Sequence, residues 1–122
     1  MLRWLAEKYR ERTASPLTKW GVAFDGDCIV TSDGLGATHK LPTAELRKVV
    51  VATDDSGPWG ADVLYFLFTR DREPAAVFPL EAQGCQNFVK WLGTLPGYDD
   101  LELARAMGST SVAQFVVFQA QG

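Results

Sequence analysis

Residues 63–68 read Val63-Leu64-Tyr65-Phe66-Leu67-Phe68, six apolar or aromatic side chains in succession. A strand with one face in water alternates apolar and polar residues, so a run without alternation describes a strand covered on both faces. At six residues it is far short of the roughly 20 that cross a bilayer as a helix. The stretch is therefore expected to lie centrally in a sheet.

Its neighbours in sequence supply the sheet. Upstream, residues 46–53 carry the β-branched run Val49-Val50-Val51, suited to a strand interior, and Asp54-Asp55-Ser56-Gly57-Pro58-Trp59-Gly60 reads as the loop between the two. Downstream, Arg70-Asp71-Arg72-Glu73-Pro74 is a polar hairpin connection, and residues 75–78 return as a third antiparallel strand before Pro79 stops it. Ala82, Cys85, Phe88, Val89, Leu92 and Leu95 then recur at three- and four-residue intervals. That spacing predicts a helix over 81–95 whose Phe88, Val89 and Leu92 face packs on the strands. Pro96-Gly97 ends it. Asp99 and Glu102 have the spacing of a capping box, which predicts a short helix over 101–107, and Phe115-Val116-Val117-Phe118 makes a final strand.

Before the sheet, residues 20–40 alternate Val22 and Phe24, turn at Asp25-Gly26-Asp27, resume at Ile29 and Val30, and turn again at Ser32-Asp33-Gly34, as a meander of short strands does. Pro42-Thr43-Ala44-Glu45 is expected to make one helical turn. At the start, Leu2, Leu5, Ala6 and Tyr9 recur at helical spacing with Arg3, Lys8, Arg10 and Arg12 on the other side, which predicts an amphipathic helix over 1–15. Its short apolar face and the diluting Glu7 and Glu11 fit docking on the protein's own sheet better than a membrane surface. The expected architecture is a single α+β domain over 1–122, with an antiparallel meander at 20–80, helices at 81–107 and a last strand at 112–118.

Composition narrows the function. In 122 residues, 47% hydrophobic and 22% charged, there is enough apolar matter for one packed core and too much for a disordered chain. A net charge of −3 gives no positive field to attract nucleic acid or an anionic membrane. The start of the chain turns charged within a few residues and shows no leader pattern, so a cytoplasmic location is expected. Cys28 and Cys85 are too few and too far apart for a disulfide-stapled module and are expected to be buried, reduced and unreactive.

Cys85, at a helix start, paired with His39 would supply the minimum parts of a Cys-dependent hydrolase, but Cys85 falls on the apolar stripe and nothing in sequence orients His39, which reads as an exposed turn residue. Asp25-Gly26-Asp27 opens like a calcium loop but continues with Ile29 and Val30 where an oxygen ligand and a glycine are needed. Asp54, Asp55 and Asp62 could gather round a divalent ion, yet no further ligand falls nearby. Gly34-Leu35-Gly36 is followed by His39 where a dinucleotide fold needs a third glycine and a helix. No catalytic residue, metal site or cofactor is assigned. The expected partner-binding residues are Asp54, Asp55, Trp59 and Asp62, because a large ring in an acidic Gly/Pro loop either folds back on the core or meets a partner.

The stretches 52–63 (Ala-Thr-Asp-Asp-Ser-Gly-Pro-Trp-Gly-Ala-Asp-Val), 95–99 (Leu-Pro-Gly-Tyr-Asp) and 106–110 with Phe115 resemble a family of small bacterial cytoplasmic proteins, over residues 20–118. The order of meander, turn, long strands and helix is also similar to bacterial domains of pleckstrin-homology-like shape, a curved partial barrel, although a final strand after the helices departs from that ending. The resemblance implies a non-enzymatic protein-binding domain, akin to immunity proteins that neutralise a toxin. Asp54, Asp55, Asp62, Asp99 and Asp100 would then steer a basic partner. The alternatives are a pleckstrin-like membrane or ligand module and the Cys85–His39 hydrolase.

Overall fold

The computed structural model describes residues 20–33, 36–53, 63–109 and 111–120. The helix expected over 1–15 lies outside them. Seven strands and two α-helices follow in the order β1 (Gly21–Asp25), β2 (Cys28–Ser32), β3 (Thr38–Pro42), a 3₁₀ turn (Thr43–Glu45), β4 (Lys48–Thr53), β5 (Val63–Phe68), β6 (Ala76–Pro79), α1 (Cys85–Leu92), α2 (Asp100–Met107) and β7 (Ala113–Gln119).

The protein is mixed α+β, and its strands form two open antiparallel sheets rather than one: β1-β2-β3 and β6-β5-β4-β7. The helical turn expected at Pro42-Thr43-Ala44-Glu45 is the 3₁₀ turn between β3 and β4, but the strand pattern does not say that the sheets part there. β5 is interior, as its unbroken apolar run requires, and Leu64 to Phe68 are all buried. It pairs with β4 (Val51 opposite Tyr65) and with β6 (Tyr65 opposite Phe78). Alternation along these registers puts Val49, Val51, Thr53, Tyr65, Leu67 and Phe78 on an inner face, and Val50, Ala52, Leu64, Phe66, Phe68 and Val77 on an outer one. Lys48 Nζ, 4.9 Å over the Phe68 ring, marks the outer face. β7 joins β4 with an irregularity beside Val49 and Val50, where Val117 is the extra residue.

Helix α1 sits on the inner face through Phe88, which is completely buried. Its ring meets Phe78 edge-on at 5.3 Å and Tyr65 at 6.4 Å, and reaches Phe24 of the three-stranded sheet at 6.4 Å. This one side chain therefore joins helix and both sheets in a single core. Glycines with positive φ pin both sides of the helix. Gly84 (φ +87°) lies against the Val22 carbonyl at the edge of β1, where Val22 N–H donates to Gln83 (2.8 Å). Gly97 (φ +95°) lies against the Gln119 carbonyl at the edge of β7. A Cβ at either position would overlap that carbonyl oxygen, so only glycine permits the approach. Helix α2 begins at the Asp99 cap, whose carboxylate accepts from Glu102 N–H at 3.0 Å. The other half of the expected capping box is not made. Asp99 N–H is engaged by the Val117 carbonyl (2.8 Å), and the Glu102 carboxylate accepts from Arg105 instead (2.6 Å). Among the described residues no helix is long and apolar enough to cross a membrane.

Candidate functional site

Asp54, Asp55, Trp59 and Asp62 lie outside the described residues, whereas the base that carries them is described. The loop leaves the sheet at Thr53 and re-enters at Val63, and these two residues are a register pair. A threonine suits this position because its branched Cβ fits a strand and its hydroxyl reaches a partner where the strand ends. Thr53, 3% exposed, donates its hydroxyl to the Ser111 carbonyl at 2.8 Å and lies 3.2 Å from Ser109 Oγ, while Ala113 of β7 pairs beside it. On the other side, Leu80 N–H donates to the Val63 carbonyl at 3.0 Å. The base is thus tied to β7, to the turn after α2 and to the turn after β6. Sequence reading missed Thr53, because its partners lie 56 and 58 residues away; the only local trace is the Ser109/Ser111 pair.

Asp99 and Asp100 stand away from the base of the loop. Asp99 bonds to Val117, four residues along β7 from Ala113, so roughly 13 Å of strand separates the α2 start from the loop base. Both carboxylates are exposed, and Asp100 accepts from the Tyr98 hydroxyl at 3.2 Å. Partial burial, helped by that bond and by the charges of Asp100 and Asp99, raises the Tyr98 pKa.

Cys85 and His39 are not brought together. His39 stands on β3, not in a turn, exposed and opposite Thr31 of β2, while Gly84, the residue before Cys85, abuts β1 on the far side. Two strands intervene. Burial pushes the Cys85 thiol up to about 11, and nearby Glu81 adds to this despite a hydrogen bond with Tyr65. Desolvation outweighs the helix start, leaving the thiol protonated and the nucleophile unformed at neutral pH. Burial, aided by Cys85, likewise raises Tyr65. Both cysteines are free; Cys28 is only half-buried, so the expectation of buried thiols fits Cys85 alone.

The Asp25-Gly26-Asp27 stretch is a tight hairpin turn, with Asp25 opposite Cys28, Gly26 at φ +60°, and Asp25 paired with Lys40 at 3.4 Å. Among the described residues no group of three or more acidic, His or Cys side chains could hold a metal ion. Two of the open grooves lined by described residues have no sequence signature. One, about 590 Å³, runs beside β1 along Ala23, Phe24, Val30, Gln83 and Asn87. The other, about 390 Å³, lies between Glu45, Arg47, Thr69, Arg70 and Asp71, where the carboxylates offset the guanidinium charge. No protein-family model, curated protein or solved structure matches the chain.

Proposed function

We propose that this chain is a non-enzymatic, cytoplasmic protein-binding domain whose partner surface is the acidic connection between β4 and β5, with Trp59 as anchor and Asp54, Asp55 and Asp62 as steering charges. The resemblance noted above favours an immunity protein or another toxin-linked partner. The observation that supports the reading is the tied base. Binding loops work from rigid scaffolds, and Thr53 holds this one by a buried hydroxyl to Ser111 and a paired strand on either side. Acidic residues held there would attract a basic surface, and a central aromatic ring would carry most of the affinity.

A second reading rests on a different observation. Two open antiparallel sheets of three and four strands with helices are also what a pleckstrin-like membrane or ligand module would have. The readings separate by partner. Immobilised protein that captures a protein from its native host, with capture weakened by Trp59→Ala, supports the first; salt-sensitive pelleting with anionic vesicles and no such capture supports the second.

A further inference from the structure

The outer face of the four-stranded sheet raises a question of cover. Val50, Ala52, Leu64, Phe66, Phe68 and Val77 are each no more than 6% exposed. An apolar face of this kind is buried only when something lies over it. The helices are engaged elsewhere. α1 sits on the inner face through Phe88, and the turn after α2 is bonded to Thr53, whose side chain is on that same inner face. The three-stranded sheet reaches α1 through Phe24, which meets both Phe88 and Trp91.

We propose that the apolar stripe Leu2, Leu5, Ala6 and Tyr9 of the N-terminal segment docks on this outer face, over Val50, Leu64, Phe66 and Val77. Three features select this occupant. Of the chain outside the described residues, residues 1–19 form the one stretch combining helical apolar periodicity with the length to cross several strands. An eleven-residue helix over 2–12 is about 16 Å long, against about 10 Å between the axes of the outer two of three neighbouring strands. The acidic stretch 54–62 is short and broken by Gly57, Pro58 and Gly60. The segment also ends in the right place. Trp20 carbonyl accepts from Gln83 N–H (2.8 Å) just beyond the turn that follows β6, and residues 16–19 extended reach about 13 Å from there. Finally, the charges fit. With the stripe turned inward, Arg3, Lys8 and Arg10 turn away from the sheet, and Arg12, three residues after Tyr9 and seven after Leu5, lies at the end of the stripe with a side chain long enough to carry its charge to water.

The consequence is a choice between two uses of one stripe. Side chains that cover the sheet are not available to a bilayer, so the same residues cannot serve as a membrane anchor while docked.

The test is nuclear Overhauser contacts in the full chain, first free and then with mixed phosphatidylglycerol and phosphatidylcholine vesicles at low salt. Contacts from Leu5 and Tyr9 to Leu64, Phe66 or Val77, unchanged by vesicles, are expected. Leu5→Asp in the full chain should raise binding of an anilinonaphthalene dye several-fold. Outer-face contacts made only to residues 54–62, or only to Ile29 and Leu41, would overturn the proposal. So would the absence of any contact from Leu5 or Tyr9 to the outer face in the free chain.

Discussion

Gly84 presses its bare α-carbon against the carbonyl oxygen of Val22. Gly97, five residues beyond the end of α1, repeats the arrangement against Gln119 on the other sheet, so the segment 84–97 that carries α1 meets a strand carbonyl through a left-handed glycine at each end. Gly84→Ala and Gly97→Ala should each lose about 2–3 kcal/mol, from positive φ and displacement of the edge strand. Gly36 is a control, because φ is +103° there but nothing lies within 4 Å. Urea titration of the three variants checks this: Gly36→Ala should lose the least, and equal losses at all three would show that approach to the carbonyl has no weight.

Phe88 touches rings from both sheets and its own helix, and no part of it is exposed. Phe88→Ala should cost about 3–5 kcal/mol, a large share of the roughly 5–15 kcal/mol that stabilises a domain, while Leu101→Ala, at an exposed site, should cost little. Thermal unfolding of the pair measures the contrast.

Cys85 makes stability fall at high pH. Its folded-state pKa of about 11 stands above the ordinary 9.0, so between these values the unfolded chain gives up its proton first. Stability is full below about pH 9 and is lost as pH rises toward about 11, by about 1–3 kcal/mol. Cys85→Ala should flatten this fall, leaving the shares from Tyr65 and Tyr98, which have the same sign. In the native protein Cys28 should react with a thiol reagent before Cys85, and equal rates would contradict the assigned burial.

Thr53→Val keeps the strand shape and removes the hydroxyl that meets Ser111. The change should cost about 1 kcal/mol and speed amide exchange around Ser109 and Ser111. Exchange unchanged at those residues would mean the bond does not hold the loop base.

Local periodicity made much of this fold legible. The unbroken run at 63–68 identified an interior strand because nothing polar in it required water, and the three-and-four spacing through Phe88 and Leu92 placed a helix that proved shorter, Cys85–Leu92. The division into two sheets was not legible, because whether β3 or β7 lies beside β4 depends on pairings across the whole chain. The capping box was half right for the same reason: Asp99 caps its helix, but its own N–H belongs to Val117. At the candidate site the loop composition pointed to Asp54, Asp55, Trp59 and Asp62, whereas the Thr53 anchor depends on partners far away in sequence.

The central claim, a partner surface at the β4–β5 connection, is tested most directly by association kinetics on a protein captured from the native host. Trp59→Ala should leave the association rate nearly unchanged and speed dissociation, at a cost of about 2 kcal/mol or more. Asp54→Asn with Asp55→Asn should instead slow association and flatten its salt dependence. Parent-like kinetics in both variants with every captured protein would contradict the account.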